Sequence, residues 1–185
     1  MRIDKHLRAD QENIKRFLAA LGGGAVLLGS SKYARPSFFI YAHEFIREYI
    51  EEGFYKKEEF IITALEDCGF PSDDGPVGAM RRDHEKSRKA AELMIDAARH
   101  WQAGDDVART EVSWATSQYT AAVREHLERL KTRIFPLLEQ SITVEEEYRI
   151  SEGINNVHFE NSLETGTDKY VRMIEELEDE LNDWK

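Results

Sequence analysis

The chain has 185 residues, enough to bury one sizeable core without disulfide staples. Its 25 basic residues stand against 36 acidic ones, a formal charge of −11. That balance disfavours nucleic acid and anionic membrane as partners, since both reward a basic face, and leaves a small metal cation compatible. Cys68 is the lone cysteine, so neither a disulfide framework nor a thiolate metal cluster is available, and the cytoplasm is the default compartment.

In chain order, the opening MRIDKHLRADQENIKRF is charged throughout, unlike a secretory signal. Helical spacing predicts a first helix from about Arg2 to Leu21, with Ile3, His6, Asp10, Ile14, Phe17 and Leu21 on one side. The triplet Gly22, Gly23, Gly24 is expected to end or loosen it. The run without charged residues from Leu18 to Ser31 is too short to span a bilayer. A second helix starts near Pro36, a favourable first-turn residue, and reaches about Cys68, with Gly69 closing it. FPSDDGP then reads as a loop. The third helix begins near Pro76 and ends before Gly104, with Val77, Met80, His84, Ser87, Ala91, Met94 and Ala98 inward. The fourth spans about Asp106 to Leu138, with Val112, Ala115, Tyr119, Val123, His126, Leu130, Ile134 and Leu137 inward, and Pro136 bending it or setting its last turn. Two more helical segments follow, TVEEEYRISEGINNVHF and TDKYVRMIEELEDELNDW. The expected fold is all-α: an up-down-up-down four-helix bundle over residues 1–141, with a helical extension over 142–185 packed on it.

One residue breaks the pattern of the second helix. Ile46, Ile50, Phe54, Glu58, Ile61 and Leu65 share a side, so Glu58 sits in an apolar stripe, where an unpaired carboxylate costs several kcal/mol. His84 stands 20 residues before Gly104 and His126 20 after Asp106. Both therefore lie roughly 30 Å from the same connection, at matching height. Glu58, 11 residues before Gly69, agrees with His84, 8 after Pro76, to about one turn. His6 meets the same level more loosely, with Asp10 one turn away. A cross-section holding His6, Glu58, His84 and His126 suits a divalent metal, because imidazole and carboxylate favour iron, zinc and manganese. A cation there would neutralise Glu58. The remaining histidines fail this test. His43 is more than about 20 Å along the helix from Glu58 and reads as structural. His100 is near a helix end, His158 belongs to the tail, and Tyr119 reads as core.

At these residues the chain resembles the hemerythrin-like, HHE cation-binding family. The likeness runs through DKHLRADQENIKRFL, FIREYIEEGFYKKEE, ALEDCGFPSDDGPVGAM, RDHEKSR, YTAAVREHLERLKTRIFPLLEQ and the tail. The resemblance implies a carboxylate-bridged di-iron centre, with His6, Glu58, His84 and His126 matching family ligands. Glu59 is an alternative to Glu58, because the alignment wavers by one residue. Phe54 stands where the family has a histidine, and Leu130 where it has an acid. Three outcomes follow: a mononuclear site, a rearranged dinuclear site recruiting Asp10 or Tyr55, or no metal. The implied function is a metal-binding protein, iron first with zinc or manganese as alternatives, handling dioxygen or peroxide in an oxygen, redox or iron role. Self-association stays open. The competing reading is a metal-free helical domain serving in interaction or regulation.

Overall fold

The computed structural model describes the backbone of residues 1–165 and 168–185, and all side chains except those of 158–168, so the side chain of His158 lies outside the described residues. The described chain is 87% helical, without strands, in six helices. The first spans Arg2–Leu28. The second covers residues 36–67 without a break, as α-helical Pro36–Phe45, a π-helical stretch Ile46–Phe54 and α-helical Tyr55–Asp67. The third is Gly75–Gln102. The fourth covers residues 108–141, with a π turn at Leu130–Ile134 between α-helical Ala108–Arg129 and Phe135–Ser141. Val144–Thr165 and Asp168–Trp184 are the fifth and sixth. The first four form the expected bundle, each packed on its antiparallel neighbours, with the fourth closing onto the first. No described helix is long and apolar enough to cross a membrane.

The glycine triplet does not end the first helix, which continues through it for another turn. The reason is close packing. A Cβ on Gly24 would meet the Phe38 ring at 2.5 Å, and one on Gly23 would come within 3.3 Å of Leu181. The glycines let neighbouring helices approach the backbone, an advantage that outweighs their poor helix propensity. Gly24→Ala is therefore expected to destabilise by up to about 2 kcal/mol: overpacking costs roughly 1–3, and alanine's propensity returns about 1. Urea unfolding of the variant measures it. At the end of the same helix, Arg109 donates to the Leu28 carbonyl at 2.6 and 3.1 Å and to the Ser31 carbonyl at 2.7 Å, satisfying oxygens the helix terminus leaves open.

Both π stretches follow from the spacing of the apolar residues. A step of four residues overshoots an α-helical turn by about 40°, so three such steps drift by about 120°. Ile46, Ile50, Phe54 and Glu58 are spaced that way, and all four are buried. The wider π turn keeps them on one side. His126, Leu130, Ile134 and Leu138 repeat the pattern in the fourth helix, again all buried. Pro136, which lacks an N–H and crowds the carbonyl four residues back, sits just after that π turn, which makes room for it. The shifted phase puts Leu138 in the core, where Leu137 was expected; Leu137 is only partly buried.

The fifth helix packs on the first and second, and so does the sixth. Tyr170, Met173, Ile174, Leu177, Leu181 and Trp184 form the buried face of the sixth helix. Trp184 meets Phe38 at 4.8 Å between ring centroids and Tyr170 meets Tyr49 at 5.1 Å, so the sixth helix runs antiparallel to the second. Pairs at its rim, Arg35–Glu180 at 2.7 Å and Lys169–Glu48 at 2.9 Å, fix its alignment more than they stabilise it.

Candidate metal centre

Glu58 is fully buried, and it faces two imidazoles from neighbouring helices. His84 Nε2 contacts Glu58 Oε2, and His126 Nε2 lies 2.8 Å from Oε1 and 2.9 Å from Oε2. Each residue offers one ligand atom, and these atoms all lie within 4.8 Å of one another. Three helices supply them because their inward stripes come to one height, and one turn away Tyr55 of the second helix meets Ser87 of the third. His84 and His126 are themselves buried, with ring centroids 5.0 Å apart.

An outer layer holds these groups in place. Tyr55 stacks on the His84 ring at 4.0 Å, and its hydroxyl donates to Ser87 Oγ at 2.8 Å, while Ser87 donates to the His84 carbonyl at 3.0 Å. His126 Nδ1–H donates to Asp83 Oδ2 at 3.0 Å, and Arg129 Nε–H donates to the same oxygen at 2.8 Å. Met80, Phe54 and Leu130 are buried one turn from the three residues and line the level with apolar volume.

The electrostatics follow from this arrangement. Burial pulls the His126 pKa down, but the charge of Glu58 and the bonds to Asp83 and Glu58 outweigh it and raise it to about 9. Burial pushes the Glu58 carboxyl up, yet His126 and His84 hold it below the usual carboxylate value. Asp83 is likewise lowered: its burial opposes ionisation, and His126 and Arg129 overcome that. Linkage gives the sign for the metal-free protein. His126, raised from 6.5, contributes stability that is complete below pH 6.5 and lost as pH rises through about 9. Glu58, lowered from 4.5, contributes stability present above pH 4.5 and lost as pH falls through its folded value. Metal-free protein is expected to resist urea best between those limits, with the unfolding midpoint falling from pH 7 to 10.

The other sequence-predicted residues lie elsewhere. His6 is exposed. The first helix buries Ile3, Leu7, Asp10 and Ile14, and that phase places His6, about 100° from Leu7, at the edge of the buried stripe. Asp10 is buried but engaged: Lys57 Nζ donates to Oδ2 at 2.5 Å and the Tyr49 hydroxyl to Oδ1 at 2.9 Å. Glu59 is exposed, 3.9 Å from Arg81, which leaves Glu58 as the inward acid. Tyr55 supports His84 through its ring, with its hydroxyl turned to Ser87. His43 is half-buried and His100 exposed, both outside the group. Sequence reasoning missed Asp83, Arg129 and Lys57. The first two were legible as near neighbours, one residue before His84 and three after His126. Lys57 flanks the stripe, one residue before Glu58.

Asp83 accepts from Arg129 and so takes a hydrogen from Nδ1 of His126, which in the neutral ring leaves Nε2 as a lone pair facing carboxylate oxygens. Acceptor facing acceptor requires a cation between them, a proton or a metal. Metal–ligand bonds of about 2.1 Å place neighbouring donors roughly 3.0–3.4 Å apart, from octahedral to tetrahedral angles. The separations of 2.8 and 2.9 Å between His126 and Glu58 suit either cation, since an N–H···O hydrogen bond has the same length. The residues fit a divalent ion.

No curated protein and no solved structure matches this chain. The profile of the Hemerythrin HHE cation binding domain matches residues 2–138, the first four helices nearly to their end. The chain belongs to that family.

Proposed function

We propose that this protein binds one divalent metal ion through Glu58, His84 and His126, iron first, with zinc or manganese as the alternatives. The observation that carries this reading is the convergence of two imidazole nitrogens and one fully buried carboxylate. Two histidines and one carboxylate form a set that leaves coordination positions open, as in mononuclear iron and catalytic zinc sites. Among the described residues a second metal lacks ligands: Phe54 and Leu130 occupy buried positions with apolar side chains, His6 faces water, and Asp10 is engaged with Lys57.

A bound iron would supply an open position for a small ligand such as dioxygen or peroxide, which supports a role in oxygen, redox or iron handling. The protein's own residues do the rest. Glu58 provides the charge, Asp83 and Tyr55 orient the two imidazoles, and Phe54, Leu130 and Met80 exclude water from the level. The lone cysteine supports a cytoplasmic setting. The charge of −11 argues against nucleic acid as a partner.

One observation favours a second reading, a metal-free scaffold for interaction or regulation. The network closes on protein atoms alone when His126 is doubly protonated, with one N–H to Asp83 and one to Glu58. Elemental analysis of untagged protein reconstituted under reducing conditions separates the two. The metal reading expects about one ion per chain, lost in His84→Ala. Protein that takes up no iron, zinc or manganese leaves the scaffold reading standing.

A further inference from the structure

We propose that Asp83, clamped by Arg129, is the positioning residue that aims His126 at the centre. The inference rests on the metal reading above for its consequence, and on geometry for its substance.

Consecutive residues on the third helix point about 100° apart. His84 therefore turns to Glu58, while Asp83 turns to the fourth helix. There His126 and Arg129, three residues apart on one face, meet it together. Asp83 Oδ2 accepts from His126 Nδ1 at 3.0 Å and from Arg129 Nε at 2.8 Å. The side chains of Asp83 and Arg129 are 12% and 23% exposed and that of His126 1%, so water competes weakly for these bonds.

The arrangement has a direction. An ionised carboxylate only accepts, so the hydrogen between Asp83 and His126 stays on Nδ1. In the neutral ring Nε2 is then bare and turned to Glu58, the form that can bind a cation. Without Asp83, the Glu58 carboxylate would draw the single ring hydrogen to Nε2 and close that position. Arg129 contributes by neutralising Asp83 and fixing its rotamer, which a bare surface carboxylate would lack. A purely structural clamp between the third and fourth helices would need no histidine in its middle.

The test uses the full chain labelled with ¹⁵N-histidine, without metal and then titrated with cobalt(II). The variants are Asp83→Leu, Asp83→Asn and the double variant Asp83→Leu/Arg129→Leu. The double variant removes both charges and so guards against misfolding, checked by circular dichroism. In the native protein the Nδ1–H of His126 is expected as a downfield, slowly exchanging proton signal. Asp83→Leu and the double variant should lose it and bind cobalt(II) roughly 10–100-fold more weakly, with an altered visible spectrum. Asp83→Asn, whose Oδ1 still accepts, should keep the signal and recover part of the affinity. Persistence of the Nδ1–H signal in the folded double variant overturns the proposal. If the native protein takes up no cobalt(II), the metal reading falls, and the nitrogen signal alone still decides whether Asp83 positions the ring.

Discussion

Replacing Glu58 with glutamine is expected to abolish metal uptake while leaving a folded but weakened bundle. Glutamine keeps the shape and can still hydrogen-bond to both rings, but it brings no charge. The loss in affinity should exceed the roughly 10–100-fold that follows when a ligand merely loses its outer partner. Stability should fall as well. His126 is 1% exposed and draws its raised pKa from Glu58 and Asp83, so the variant leaves a buried ring with half its counter-charge. Removing one member of a buried pair costs about 3–5 kcal/mol, and the lower end is expected because Asp83 remains. Metal content by elemental analysis and urea unfolding of the metal-free protein measure the two effects separately. Wild-type metal content in the variant would remove Glu58 from the site.

Asp10→Leu should produce the opposite division: a large loss of stability with metal content unchanged. Asp10 and Lys57 form a pair with side chains 9% and 5% exposed, and Tyr49 adds a second bond to Asp10, itself held by Asn13 at 3.0 Å. Taking the carboxylate from a buried ammonium should cost about 3–5 kcal/mol. The double variant Asp10→Leu/Lys57→Met replaces the pair by apolar volume and should recover most of that, because buried ion pairs rarely outperform good packing. The double variant also gives a stable protein in which to count metal. An ion per chain as in the native protein would show that Asp10 ligates nothing. Loss of metal would revive a rearranged dinuclear centre in which Asp10 takes part.

The two variants probe parts of the molecule that differed in how readable they were. Glu58 announced itself because a carboxylate in a run of Ile46, Ile50, Phe54, Ile61 and Leu65 breaks an otherwise apolar stripe. His84 and His126 followed from a constant rise per residue measured from a shared turn. The error at His6 arose from phase. The stripe could pass through His6 or Leu7, and only the contact with the other helices selected Leu7. The glycine triplet misled for a related reason. Glycine signals a helix end when nothing packs on it, but here Phe38 and Leu181 fill the space a side chain would need.

The sequence by itself determined six helices, the antiparallel order of the first four and the height of Glu58, His84 and His126. These depend on periodicity, turn residues and rise per residue, all properties of one segment at a time. Tertiary structure alone decided which face of the first helix turns inward and where the helical turns widen to the π form. It also decided that Asp83 bridges His126 and Arg129, and that Lys57 is buried against Asp10. Those outcomes depend on what a neighbouring helix places opposite each side chain. Spacing along one helix carries no information about that.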